Sequence, residues 1–331
     1  MYSSSVTISS KPSIDGCGLS LQENNKKKQK NGIYKCTEML YNESINNQTE
    51  GIMKTAVSTY SFGPYRELGV EGLIAKAKEM GFDGIDFLER DVRDVEHAKT
   101  LRALAEQNGI AIVNLCVGAD FIKNGVEEEV TRLKGLVDIA AALGATMMRH
   151  DITAGDKSGK KVGISYDALL PTLAAAVREV ADYAKGKGVR TLTENHGYFS
   201  QDADRVEKLI NAVDHENFGA LVDIGNFMCA DEDPWKSVGV MAPYAYHVHV
   251  KDFHKKSGTD VDPGKGWFRT RGGDYLRGAI IGHGDARVMQ SLYVLKKSGY
   301  DGYLSIEFEG MEDNLKGIEL GLANLIRFWG E

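Results

Sequence analysis

Cysteine is scarce in this chain. There are four in 331 residues (Cys17, Cys36, Cys116 and Cys229), and none belongs to a CxxC pair. A disulfide framework is therefore not expected at this length, and reduced thiols in a cytoplasmic setting are. No apolar run is long enough to span a bilayer, so neither a membrane helix nor a membrane partner is expected. An excess of positive charge is also missing. Lys and Arg number 40 against 47 Asp and Glu, for a formal net charge of −7 and a pI near 5.7. With no basic stripe, no nucleic-acid partner is expected. Nor does a GxGxxG follow the first strand-like run, which counts against a dinucleotide-binding fold.

What is present is ordinary for a globular protein: 42% of residues are hydrophobic and 26% charged, enough apolar material for a sizeable core. Residues 1–52 stand apart. They are rich in Ser, Asn, Gln and Lys, with the run Lys26-Lys27-Lys28-Gln29-Lys30 and no periodic apolar pattern. Such a composition cannot bury enough surface to fold alone, so a disordered extension is expected. It has no apolar core of a secretory signal, and a Ser-rich transit peptide is the alternative. Met53 opens the first strand-like run, and residues 53–331 have the length of one α/β barrel, about 250 residues.

From Thr55 a unit repeats: a short β-rich run, a polar loop, an amphipathic helix, then Gly. Strands are expected at 55–59, 85–87, 110–117, 145–149, 190–194, 218–223, 246–250 and 303–307. Helical spacing groups Val130, Leu133, Val137 and Ala140; Leu173, Val177, Val180 and Ala184; and Leu315, Ile318, Leu322 and Leu325. Gly81 in Met80-Gly81-Phe82-Asp83-Gly84 suits a left-handed helix end, and Ser298-Gly299-Tyr300-Asp301-Gly302 repeats the device. Eight strands alternating with helices predict parallel pairing and favour a closed (β/α)8 TIM barrel over an open sheet, with its site at the strand ends.

Four later strands each end in a side chain suited to metal: Glu194, Asp223, His249 and Glu307. Buried carboxylates are costly unless paired or metal-bound. Three carboxylates and an imidazole brought to one mouth suit a hard or borderline divalent ion, Mn2+, Mg2+, Co2+ or Zn2+. For any one of them a salt bridge or helix cap would serve as well. Four in register point to a site.

The stretches Glu194-Asn195-His196-Gly197, Val222-Asp223-Ile224-Gly225-Asn226, His247-Val248-His249-Val250-Lys251-Asp252, Gly282-His283-Gly284-Asp285 and Gly302-Tyr303-Leu304-Ser305-Ile306-Glu307-Phe308-Glu309-Gly310 resemble the sugar phosphate isomerase/epimerase family. That family has the xylose isomerase-like barrel and includes D-tagatose 3-epimerase-like enzymes and endonuclease IV. The resemblance runs over residues 53–329. It implies one metal, foremost Mn2+, on Glu194, Asp223, His249 and Glu307, with Glu194 and Glu307 also the catalytic acid/base pair. It implies a small carbohydrate substrate, and a homo-oligomer or a partner subunit is compatible with it. In the family's epimerases a substrate-contacting histidine follows the metal aspartate by three residues, and an arginine follows the metal histidine by six. Here those places hold Asn226 and Lys255, departures that count against a plain ketohexose 3-epimerase. A lyase acting on 3-keto-glycosides uses the same proton abstraction. A phosphodiester hydrolase would need further His and Asp ligands, and a non-catalytic sugar-binding barrel would not need both glutamates.

Several neighbours carry two readings. His196 shares the strand side of Glu194 and reads as a substrate contact or second base, or as a loop hydrogen bond. His247 reads as support for the ligands, and Glu309 as a substitute for Glu307. Arg149, His150 and Asp151 end the fourth strand, and Arg149 and His150 are candidates to bind substrate. Tyr60, Phe62, Trp235 and Trp267 would either floor a sugar site or pack loops. The long stretch from His254 to Gly284 is expected to be a loop of the kind that forms lids, its Arg269, Arg271 and Arg277 binding an anion or tying the loop down. A chain beginning at Met53 is expected to keep the melting temperature and activity of the full chain; loss of folding on that truncation would show that residues 1–52 pack on the barrel.

Overall fold

The computed structural model describes residues 53–155 and 165–331, and the extension expected over 1–52 lies outside the described residues. Eight parallel strands close into a barrel: β1 (Lys54–Ser58), β2 (Gly84–Leu88), β3 (Ala111–Val117), β4 (Met147–His150), β5 (Arg190–Glu194), β6 (Phe218–Asp223), β7 (Ala245–Val250) and β11 (Tyr303–Ile306). β11 closes the ring by pairing with both β1 and β7. Each barrel strand is followed by a helix: α1 (Gly69–Glu79), α2 (Val95–Asn108), α3 (Val126–Leu143), α4 (Tyr166–Lys185), α5 (Ala203–Val213), α6 (Pro234–Met241), α7 (Val288–Lys297) and α8 (Asn314–Gly330). The expected strands are all present, with ends moved by a residue or two. Among the described residues no helix is long and apolar enough to cross a membrane.

Local chemistry explains the boundaries. Asp94, Ser165 and Asp313 cap α2, α4 and α8 by accepting backbone N–H groups three residues on. At the end of α1, Gly81 takes φ +92° and lets the Phe82 N–H reach back to the Ala77 carbonyl at 3.1 Å. Gly299 (φ +82°) does the same for Tyr300 and Leu295, so the two Gly signals in the sequence are one C-terminal device used twice.

Strand alternation sorts the side chains. Val57, Phe87, Met148, Val222, Val248 and Ile306 face the helices and join a core with Leu133, Val137, Leu173, Val177 and Leu325. Inside the barrel, Ala56, Val113, Met147, Leu192 and Leu221 form a separate apolar plug. Elsewhere around the ring the interior is polar: Asp86, Asn114, Glu194, Asp223, His247, His249 and Ser305 are all buried. The site stands on that plug.

The stretch expected as a loop is instead a small antiparallel sheet in the order β8-β10-β9: β8 (Asp252–Lys256), β9 (Phe268–Arg269) and β10 (Tyr275–Ala279). Asp252, which ends the His-Val-His-Val-Lys-Asp run, anchors it. The buried carboxylate accepts the N–H groups of Phe253, Gly282, Gly284 and Ala286 at 2.8–3.0 Å, so the Gly282-His283-Gly284-Asp285 motif is a structural clasp. Gly278 on β10 presses against the chain just past β11; a Cβ there would meet the Glu309 carbonyl oxygen at 2.3 Å. The arginines tie the sheet down. Arg269 donates to the Gly273 carbonyl, Arg271 to Asp202 and the Ala230 carbonyl, and Arg277 pairs with Glu312.

Replacing Asp252 by Ala leaves several buried N–H groups without an acceptor. At roughly 1–3 kcal/mol for each orphaned group, and about 2–4 °C per kcal/mol in a domain of this size, the melting temperature should fall by about 6 °C or more. A thermal melt unchanged by Asp252→Ala would remove the clasp from the fold's supports.

Candidate metal centre

β5, β6, β7 and β11 are consecutive around the ring, and each ends with an inward-facing ligand. Glu194 and Asp223 are the last residues of β5 and β6, His249 lies one before the end of β7, and Glu307 follows β11 directly. One donor atom from each lies within 4.8 Å of the other three. His249 Nδ1 is 3.5 Å from Glu307 Oε2, 3.6 Å from Glu194 Oε1 and 4.0 Å from Asp223 Oδ2.

The cluster fits a cation. Asp223 Oδ2 and His249 Nδ1 are buried, point into it, and hydrogen-bond to nothing among the described residues. Burial, with the Glu194 and Glu307 carboxylates beside it, pushes the Asp223 carboxyl up to about 7 against the pull of Lys251. Burial also raises Glu194 and Glu307, but the Arg149 guanidinium and His249 outweigh it for Glu194, and Lys251 and His249 for Glu307, holding both below the usual carboxylate range. Three oxygen donors and one imidazole nitrogen form a set for a hard or borderline divalent ion, whose charge would relieve the repulsion.

Behind the ligands lies a supporting layer. His249 Nε2 is 3.4 Å from Asp86 Oδ2, and the same oxygen is 2.8 Å from His247 Nε2. Asp86 thus lies behind the imidazole, on the side away from the cluster, where a carboxylate stands behind many metal-binding histidines. Asn195 makes a two-way clamp with Asp223, accepting its N–H and donating to its carbonyl, each at 2.9 Å. The Asn226 N–H donates to Asp223 Oδ1 at 2.9 Å, while its side-chain amide donates to Glu194 Oε1 at 3.0 Å.

Above the cluster opens a cleft of about 620 Å3. Glu194, Arg149, Asn226, Lys251 and Glu307 line its depth; Tyr60, Arg90, His196, Tyr198, Phe268 and Glu309 line the rest. Arg149 pairs with Glu194 and lies 3.3 Å from Asp151, whose other side-chain neighbour is His196 (Nδ1 to Oδ1, 3.0 Å).

The sequence-expected ligands are therefore brought together, and Arg149, His196 and Asn226 reach the cleft. Two expected substrate residues do not. His150 is fully buried on the helix-facing side of β4, stacked on Phe218 and edge-on to Phe121, because alternation sends Arg149 inward and its neighbour outward. Lys255 lies on β8, after the chain has left the barrel, and pairs with Asp274 at 2.9 Å. Of the aromatics, Tyr60 lines the cleft and donates to Glu309 at 3.0 Å, while Glu307, not Glu309, lies in the cluster. Phe62 is core, Trp235 stacks under Arg287, and Trp267 lies between Lys256 and Arg277.

Two residues carry roles the sequence reading did not assign. Lys251 is buried with Nζ 2.8 Å from Glu307 Oε2, 3.2 Å from Asp223 Oδ2 and 3.2 Å from Asn226 Oδ1. Its place two residues beyond His249, on the same strand side, was the available signal. Asp86 was marked by being a charge in the middle of an otherwise apolar strand.

The family described as "Xylose isomerase-like TIM barrel" matches residues 74–328. Inosose dehydratase of Clostridium perfringens (strain 13 / Type A) is 25% identical over 254 residues, 74% of this chain and 84% of that protein. D-psicose 3-epimerase of Clostridium cellulolyticum H10, solved with D-tagatose, superimposes with a TM-score of 0.66 at 16% identity, covering 84% of this chain and 99% of that one. A xylose isomerase-like TIM barrel protein from Mycobacterium smegmatis, in complex with magnesium, gives 0.63 at 21% identity, covering 85% and 98%. The structural likenesses are of fold.

One divalent ion per chain is expected by elemental analysis, removable with a chelator. Asp223→Ala and His249→Ala should each lower metal occupancy at least tenfold, in the range of about 10–100-fold or beyond seen for lost coordination support. Unchanged metal content in both variants would dissolve the site.

Proposed function

The chain belongs to the xylose isomerase-like TIM-barrel family, and on that premise we propose that it is a metal-dependent isomerase or epimerase of a keto-sugar or closely related cyclic ketone. The observation that carries the reading is the placement of two glutamates, Glu194 and Glu307, which both contribute to the metal cluster and both line the cleft. They come from β5 and β11, with β6 and β7 between them in the ring.

A proton next to a carbonyl is too weakly acidic to leave unaided. When bound, the divalent ion, Mn2+ first among Mn2+, Mg2+, Co2+ and Zn2+, supplies the electrostatic stabilisation that an enediolate needs. The rest is done by the chain. One glutamate removes the proton from carbon, and the other delivers one to the opposite face for epimerisation or to the neighbouring carbon for isomerisation. Arg149 orients the Glu194 carboxylate, and the Asn226 amide and Lys251 ammonium offer donors to substrate oxygens at the cleft floor.

A second reading, a lyase or dehydratase, has its own support: the inosose dehydratase relative and the His196–Asp151 pair beside Glu194. After the same proton abstraction, His196 would protonate a departing hydroxyl or alkoxide, which an epimerase does not require.

The test is deuterium incorporation. Ketoses, inosose and 3-keto-glucosides are incubated with the Mn2+-loaded protein in D2O. Label is expected next to the carbonyl of the true substrate. Glu194→Gln and Glu307→Gln should each lower its rate by about 10²–10⁴-fold. Loss of water or release of an aglycone marks the lyase, and equal mass apart from label marks the isomerase or epimerase. Full activity in either variant, with metal retained, would take that glutamate out of proton transfer.

A further inference from the structure

The metal cluster accounts for only the floor of the cleft. A sugar ring placed on Glu194, Asn226, Lys251 and Glu307 leaves Tyr198 and Phe268, which line the same space, without a role. A cleft of about 620 Å3 is of the size that encloses a much larger ligand than one monosaccharide.

Tyr198 is held where it is at some conformational expense. Its φ is +64°, directly after Gly197 at +84°, so an aromatic residue occupies the left-handed region that glycine favours. Three bonds fix it there. Its N–H donates to Gln201 Oε1 at 2.6 Å, its hydroxyl donates to the Arg269 carbonyl at 3.0 Å, and its own carbonyl accepts from Arg271 at 3.3 Å. Yet the residue is 42% exposed, so all this bracing does not bury it.

Phe268 comes from the other element. It sits on β9 next to Arg269, the residue that receives the Tyr198 hydroxyl, and Phe253 supports it edge-on at 5.5 Å. The bond between the two elements makes the rings parts of one wall. Cys229, buried and also lining the cleft, adds no charge to it. This wall is apolar and aromatic, whereas the floor is built of charges.

We propose that Tyr198 and Phe268 form a second subsite that takes a ring carried by the substrate, an aryl or glycosyl substituent stacked on the aromatic wall while the keto-sugar occupies the floor. The assignment of the two ends rests on the reading of the floor given above.

The test is equilibrium binding without turnover. The Mn2+-loaded full chain is titrated calorimetrically with three non-oxidised probes: methyl β-D-glucopyranoside, p-nitrophenyl β-D-glucopyranoside and cellobiose. At least one ring-bearing probe should bind about tenfold tighter than the methyl glucoside, in keeping with aromatic stacking plus the area it covers. The tighter of the two tells aryl from glycosyl. Tyr198→Ala and Phe268→Ala should each erase most of that preference and leave the methyl glucoside affinity unchanged. Tyr198→Gly should do the same, with the backbone relieved because glycine suits the left-handed region although the hydroxyl bond to Arg269 is lost. Equal binding of all three probes, no binding of any, or a preference that survives both alanine variants would overturn the subsite. Because no proton transfer is measured, a failed deuterium assay leaves this result readable, and a failed subsite leaves the deuterium assay standing.

Discussion

Three carboxylates, Glu194, Asp223 and Glu307, converge with donor atoms within 4.8 Å of one another inside the mouth of a closed barrel. Like charges that close repel, and burial removes the water that would screen them. Much of the surrounding design answers that repulsion. Arg149 and Lys251 bring positive charge to the flanks, and the Asn226 amide and backbone N–H hold one oxygen each of Glu194 and Asp223. What these groups leave unmet is seen in Asp223, whose carboxyl still lies near 7. A divalent ion at the centre would complete the balance.

Holding such a cluster requires a frame that cannot relax outward. The ring of strands supplies it, since each ligand sits at a strand end whose neighbours are hydrogen-bonded on both sides. The apolar plug of Ala56, Val113, Met147, Leu192 and Leu221 fills the interior away from the mouth. Between plug and cluster, Asp86, His247 and His249 form a buried polar layer. The chemistry thus depends on a vertical order: apolar plug, polar support, ligands, open cleft.

The barrel and the convergence of Glu194, Asp223, His249 and Glu307 were legible because both are periodic signals. Strands recur at regular intervals, and each later strand ended in a ligand-type residue. What escaped were matters of parity and of departure from the pattern. Arg149 and His150 are adjacent in sequence, and only the pleat decides that one enters the cleft while the other stacks on Phe218. Lys255 misled because the chain leaves the barrel at Asp252, so counting residues from His249 stopped measuring position in the mouth. The β8-β10-β9 sheet was read as loop because β9 has only two residues and the segment is rich in glycine. Lys251 was hidden by expectation: a lysine at a strand end usually reaches for water, and this one turns into a nest of carboxylates.

The three-stranded sheet and the loop after β5 are stitched together by the Tyr198 hydroxyl and by Arg271 on Asp202, and neither stitch touches a metal ligand. The four-residue cluster and the cleft's upper wall are therefore held by separate bonds. A substitution in the wall reshapes the rim of the cleft without removing a bond that holds the cluster on its four strands.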